Sequence, residues 1–357
     1  MFPNICNGVW AILLVTLLCA MTPYQKQVPD VTSIPTSNPS KPIRILCLYG
    51  GGVRGVITAR ILQALEEQTE QSIHNLFDII LGTSTGGIIG LGLTMPHPEC
   101  PSKAMYKAEH FVQFYLKQSR RIFQKSIWRM LISGFGLWGA RYDRKYLDEA
   151  LEEVFQENKL TQALCPVGVL SYSLEKQLPR LWSSYVAQQE ARKNQYMRDA
   201  AAITSAAPTY FAPKTIFASK GRETLVEIDG GIFANNPAIA ALIAVVDLYP
   251  DFQRKDLIIV SIGSSKHRSK EQDNFSGITG IGRLINTMIA ARGEFVDEAL
   301  GAIFPNNYYN LKVTLPKKLM TIDRGNKKHL HKLIKHAEQF LEDEKETIDT
   351  LLQKLRQ

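Results

Sequence analysis

Cysteine is scarce and scattered: five in 357 residues, at positions 6, 19, 47, 100 and 165, with no C-x-x-C pair. Neither a disulfide framework nor a metal site is expected from them, and Cys47, inside an apolar run, reads as a buried reduced thiol. Charge is missing altogether from residues 1–25. Within that stretch Val9–Met21 is one apolar run, short for a membrane span and of the length of a signal-peptide core, although the usual preceding Lys or Arg is absent. Export is the expectation, with an uncleaved membrane anchor as the competing reading, so the protein is placed as secreted, periplasmic or membrane-associated. No internal repeat is visible.

Helix and central strand are disfavoured next, because Pro23, Pro29, Pro35, Pro39 and Pro42 recur among Ser and Thr, and residues 26–42 are read as a tether. Beyond it the chain has an ordinary globular composition, 45% hydrophobic and 21% charged, enough for one large α/β domain or two smaller ones. Lys plus Arg exceed Asp plus Glu, 42 to 34, with a pI near 9.1. That balance fits an anionic partner such as a phospholipid surface, nucleic acid or an acidic protein, and fits a merely soluble basic protein equally well.

The most informative stretch is Phe77 to Leu91. An apolar run reads as a buried strand, and the small apolar residues after Gly86 read as a helix packed closely on that sheet. Gly82-Thr83-Ser84-Thr85-Gly86 fits the G-x-S-x-G elbow, which lifts a serine hydroxyl out of the sheet at the positive end of the following helix. The plain alternative is a tight turn with a surface serine.

Upstream, the strand Ile43–Tyr49 runs into Gly50-Gly51-Gly52-Val53-Arg54-Gly55 and then a helix from Val56 to about Glu70. Bare amides at a helix start bind an anion, either the pyrophosphate of a dinucleotide or the oxyanion of an acyl-transfer intermediate. For a dinucleotide an acid is needed near residue 75, where Asp78 stands, but the chain reaches its serine elbow there, which favours the oxyanion.

Residues 105–131 read as a helix with Lys117, Arg121, Lys125 and Arg129 on one face, suited to a membrane surface or simply to water. The segment Ser133–Ala140 reads as a flap or turn. Further on come a helix through Tyr146–Phe155, a strand Val167–Tyr172, a helix near Met197–Ala207 and a strand Leu225–Ile228 ending in Asp229-Gly230-Gly231. Asn235-Asn236-Pro237 opens the helix Ala238–Leu248, and strands Leu257–Ile262 and Tyr308–Leu315 follow. One long amphipathic helix, Lys327–Leu355, closes the chain. Alternation of strand and helix requires a largely parallel sheet, hence an α/β fold. Asp229 is the candidate base, though Asp-Gly after a strand is also a common turn.

Taken in order, Gly50-x-Gly52-x-x-Gly55 with Arg54, Gly82-x-Ser84-x-Gly86, Ser205-Ala206-Ala207-Pro208, Asp229-Gly230-Gly231 and Asn235-Asn236-Pro237 resemble the patatin-like phospholipase family over about residues 43–315. Tyr49 departs from the pattern, since many members carry an acid before the glycine loop. The resemblance implies a three-layer α/β/α fold, with Ser84 as nucleophile and Asp229 as general base. It implies an oxyanion hole in the loop Gly50, Gly51, Gly52, Val53, Arg54 and Gly55, flanked by the elbow residues Gly82, Thr83, Thr85 and Gly86 and the base-loop residues Gly230 and Gly231. No metal or cofactor is required. Phospholipid or another acyl lipid is the implied substrate, at a membrane surface and not on nucleic acid, with residues 316–357 packed on the domain as the late helix. Two rivals stand beside it: a Ser-Asp-His triad through His267, and a catalytically idle lipid- or partner-binding module of the same fold.

Overall fold

The computed structural model describes residues 41–124, 139–217, 224–266 and 277–356. The apolar segment and tether before residue 41, the cationic positions Lys125 and Arg129, the flap 133–138 and His267 lie outside the described residues. Among the described residues no helix is long and apolar enough to cross a membrane.

Strands and helices alternate along much of the chain, except that two pairs of strands follow each other directly. The strands are β1 (Ile43–Leu48), β2 (Ile79–Thr83), β3 (Val167–Ser173), β4 (Leu178–Ser183), β5 (Lys214–Phe217), β6 (Thr224–Asp229), β7 (Leu257–Lys266) and β8 (Tyr308–Leu315). The helices are α1 (Gly55–Thr69), α2 (Ile73–Leu76), α3 (Thr85–Leu93), α4 (Ala108–Ile122), α5 (Arg144–Phe155) and α6 (Ser184–Gln189). They continue with α7 (Met197–Thr204), α8 (Ala238–Leu248), α9 (Gly277–Ile303), α10 (Lys327–Asp343) and α11 (Lys345–Leu355).

One sheet runs in the order β5-β6-β3-β2-β1-β7-β8, with β4 also paired to β3. Strands β1, β2, β3, β7 and β8 are mutually parallel neighbours, while β4 and β6 run antiparallel to β3. Because side chains alternate across a strand, β1 sends Ile45 and Cys47 to one face and Leu46 and Leu48 to the other. The first face is covered by α8 and by Leu300 and Phe304 at the end of α9; the second by α1, α3, α4, α7, α10 and α11. Both faces are buried, as a parallel sheet in a three-layer α/β/α fold must be.

The register on β3 decides where the chemistry can sit. Strand β4 pairs with β3 over Gly168–Ser173 and so occupies one whole edge. Along the other edge β2 pairs with Val167 to Leu170, and β6 with Ser171 to Ser173. The two strands therefore meet end to end: Thr83 lies opposite Leu170, and Asp229 opposite the next residue, Ser171.

Several elements differ from expectation for identifiable reasons. β4 carries Pro179, which argues against a strand in the sequence but is tolerated at a strand with a free outer edge. Helix α4 stops at Ile122 because Phe123 leaves helical geometry to place its ring 5.3 Å from Tyr142 and 5.8 Å from Phe211. The late helix is two, broken at Glu344, where neither 344 nor 345 offers an apolar side chain to hold the turn onto the core. Finally, Asp78 is not placed to read a ribose. It sits at the start of β2, the end of the sheet away from the glycine loop, and takes both Arg44 Nε and Nη2 at 3.0 Å; Arg44 Nη1 also reaches the Leu355 carbonyl at 3.1 Å.

Leu351 in α11 is fully buried against the α1 layer. Leu351→Ala is expected to lower the unfolding free energy by about 2–5 kcal/mol in urea titrations; a loss below 0.5 kcal/mol, the order seen for exposed sites, would show that α11 does not share the core.

Candidate active site

Ser84 stands between β2 and α3 with φ 54° and ψ −124°, a conformation costly for any residue bearing a β-carbon. The surroundings hold it there. The Ser84 amide donates to Thr204 Oγ1 at 3.0 Å, and that hydroxyl donates to the Leu170 carbonyl at 2.6 Å, so α7 and β3 together pin the turn. On the helix side the Ile88 amide donates to the Ser84 carbonyl at 3.1 Å, starting α3 directly beneath the serine. Gly86 has to be glycine, since a β-carbon there would lie 2.3 Å from the Leu48 carbonyl oxygen. The hydroxyl is thus partly exposed at the positive end of α3.

Asp229 closes β6 and is only 5% exposed. Its carboxylate faces the Ser84 hydroxyl, whose hydrogen bonding favours the ionised form. Its Oδ1 also accepts the Gly231 amide at 2.7 Å, so the Asp-Gly-Gly turn aims the side chain. Burial pushes the carboxyl up to about 6, and these two hydrogen bonds only partly offset that. The elbow and the base loop are tied a second time, by Thr83 Oγ1 donating to the Ala234 carbonyl at 2.8 Å.

The glycine loop lies alongside: a β-carbon on Gly50 would come within 3.2 Å of Ser84 Cβ and 2.6 Å of Asn235 Oδ1. Four of its six amides are already spent on the protein. Gly50 donates to the Asn235 carbonyl at 3.3 Å, Val53 to the Ile322 carbonyl at 2.9 Å, Arg54 to the Gly51 carbonyl at 3.2 Å, and Gly55 to the Gly52 and Val53 carbonyls. The amides of Gly51 and Gly52 have no acceptor among the described residues. Gly52 adopts φ +58°, and a β-carbon there would sit 2.2 Å from the Ile322 oxygen. Of the six-residue loop expected to hold an oxyanion, the structure thus leaves one adjacent pair of donors.

Arg54 is half-buried, with Nε on the Gly51 carbonyl at 3.2 Å and Nη1 on Met320 Sδ at 3.4 Å. Burial lowers its guanidinium to about 10, which leaves it a cation at neutral pH beside the loop. Thr85 Oγ1 bonds the Tyr115 hydroxyl and so faces away from the cleft. Among the described residues no group of three or more His, Cys, Asp or Glu side chains could hold a metal.

A serine hydroxyl, a buried carboxylate facing it and a pair of amides without an acceptor among the described residues are the kinds of group that acyl transfer uses. Thr204 and the 320–326 segment, which complete this arrangement, carried no signal in the sequence: one is an ordinary helix-terminal threonine, the other supplies a backbone oxygen.

A family model described as patatin-like phospholipase matches residues 46–242. Patatin-like protein 2 of Arabidopsis thaliana is 30% identical over 343 residues, covering 84% of this chain and 83% of that protein. Patatin-like protein 3 of the same plant is 34% identical over 265 residues, 65% of this chain and 61% of the relative. Probable inactive patatin-3-Kuras 1 of Solanum tuberosum is 24% identical over 349 residues, with 87% and 91% covered.

The position of Asp229 has a measurable cost. Its folded value of about 6 lies above the ordinary 3.8, so the folded chain binds the extra proton, and stability falls as pH rises from about 4 to about 6. Above that range the ionised group weakens the fold by about 3 kcal/mol. Asp229→Asn, which keeps the Gly231 bond, is expected to melt higher than the native chain at pH 8 and to show a smaller difference at pH 4. Identical melting curves at both pH values would contradict the burial argument.

Proposed function

The chain belongs to the patatin-like phospholipase family, a family of lipid acyl hydrolases; on that premise we propose that it cleaves acyl ester bonds of phospholipids or related lipids through an acyl-enzyme on Ser84. The observation that carries this reading is the contact between Ser84 and Asp229, made by two strands that end side by side on one edge of β3. Asp229 takes the serine proton as Oγ attacks the ester carbonyl. The tetrahedral oxyanion then faces the Gly51 and Gly52 amides and the N-terminus of α3. Collapse expels the alcohol, which leaves with the proton from Asp229. Water, deprotonated by the same carboxylate, attacks the acyl carbon; the bond to Ser84 Oγ breaks, Oγ takes the proton back from Asp229, and the fatty acid leaves. An aspartate at its ordinary value is a weak base for an alcohol; a value near 6 narrows that mismatch.

A membrane surface follows as the partner, and a cationic face supports it. Gly325 packs its backbone onto Ser119, a β-carbon there falling 2.4 Å from the Ser119 oxygen, which brings the start of α10 against the end of α4. Lys117, Arg120 and Arg324 thereby line adjoining exposed clefts, Lys327 and Lys328 follow on the first turn of α10, and none of the five pairs with a carboxylate among the described residues. That surface adjoins the glycine loop through Ile322. Its charge suits anionic lipid.

The second reading, an idle lipid- or partner-binding module, draws support from the potato relative, whose name calls it inactive. Products from a mixed lipid extract, measured by mass spectrometry, separate the two. The native chain is expected to release fatty acid, with kcat/KM falling below about pH 6 as Asp229 protonates, while Ser84→Ala and Asp229→Ala release none; equal release by all three would remove the hydrolase. Reversing charge at Arg120, Arg324 and Lys328 together should weaken sedimentation with phosphatidylglycerol vesicles about tenfold or more, for roughly 1 kcal/mol per cation. Lys255→Glu, at the opposite end of the sheet, is the control, and an equal loss there would reduce the effect to net charge.

A further inference from the structure

A buried carboxylate outside the Ser84–Asp229 pair joins the two loops that serve it. Asp297, on α9, is 8% exposed, and its Oδ1 accepts three donors: the Tyr49 hydroxyl, Asn236 Nδ2 at 2.9 Å and the Tyr308 hydroxyl at 2.7 Å. Its Oδ2 accepts Lys312 Nζ from β8. Asn236 Nδ2 lies a further 2.9 Å from the Tyr49 hydroxyl, and Asn236 Oδ1 takes the Ala238 amide at 3.0 Å, fixing which way the amide faces.

The two inner donors sit on the catalytic loops. Tyr49 is the residue before Gly50; its amide bonds the Ile262 carbonyl at 3.0 Å, and its ring lies where a β-carbon on Gly263 would come within 2.6 Å. Asn236 ends the loop that begins at Asp229, next to Asn235, whose carbonyl accepts the Gly50 amide. One oxygen atom therefore holds both the strand end that presents the Gly51 and Gly52 amides and the loop that presents the base. Tyr49 brings no charge of its own to this position, and the anion arrives from a helix 248 residues away in sequence.

We propose that Asp297 is a positioning residue for acyl transfer, setting the glycine-loop amides relative to Asp229 through Tyr49 and Asn236. The proposal rests on the hydrolase reading above. Oxyanion donors act only when held within a fraction of an ångström of the developing charge, so loss of the anchor weakens the transition state more than substrate binding.

The test compares two hydroxyl deletions at the same oxygen. Tyr49→Phe removes the bond that reaches a catalytic loop; Tyr308→Phe removes one that reaches neither. Asp297→Asn removes the charge, and Tyr49→Phe guards against its failing to fold with Lys312 left unpaired. On a soluble p-nitrophenyl ester, Tyr49→Phe and Asp297→Asn are expected to lose about tenfold or more in kcat with KM within about threefold, and Tyr308→Phe to stay within about twofold in both. Hydrogen exchange of peptides spanning 49–55 and 229–236 should quicken together in the first two variants and in neither peptide of the third. Equal effects of Tyr49→Phe and Tyr308→Phe, or unchanged exchange in both peptides, would overturn the proposal. Should the native chain turn over no ester at all, the hydrolase reading would fall and the role in acyl transfer with it, while linked exchange would still show that Asp297 ties the two loops together.

Discussion

A strand has two edges, and β3 must serve three partners. With β4 along the whole of one edge, β2 and β6 can share the other only by stopping where each meets the other. That constraint brings Ser84 and Asp229 into contact although the elements bearing them run in opposite directions and are far apart in sequence. Everything else at the site adjusts a geometry already given by this junction: Thr204 steadies the elbow, Gly231 aims the carboxylate, and Ile322 and Asn235 draw the glycine loop in beside them.

Much of this could be read from the residues, because the decisive signals are local. A strand, a glycine-flanked serine and a small-residue helix identify the elbow by steric necessity, and Asp-Gly-Gly ending a strand marks a second turn. Apolar runs marked β1, β2 and β7 as strands of a parallel sheet. What could not be read is carried by contacts between distant segments. Nothing in Leu178-Pro179-Arg180 announces a strand, because β4 exists through pairing with β3. Nothing in Ile322 distinguishes an oxygen that will occupy the Val53 amide, so the sequence could not tell that Gly51 and Gly52 are the loop amides without an acceptor among the described residues. Likewise Asp297 looks like any polar position on an amphipathic helix until Tyr49, Asn236, Tyr308 and Lys312 converge on it.

Two features of the site oppose stability, and both are held by the surrounding fold. Ser84 keeps a backbone conformation that only a packed turn can impose, and Asp229 keeps a carboxylate out of water with two hydrogen bonds in partial compensation. A protein can carry such local losses when the layers on either side of the sheet are well filled, as they are here by α8 on one face and α1, α3 and α7 on the other. Ser84 and Asp229 each stand where a strand ends.

The Arg44 clamp has a consequence of a different kind. By binding Asp78 and the Leu355 carbonyl, it gathers the start of β1, the start of β2 and the last turn of α11 at one pole of the sheet, while Ser84 occupies the other, some 15–20 Å along six residues of strand. The chain therefore enters the sheet at one pole, and Ser84 and the glycine loop open at the other.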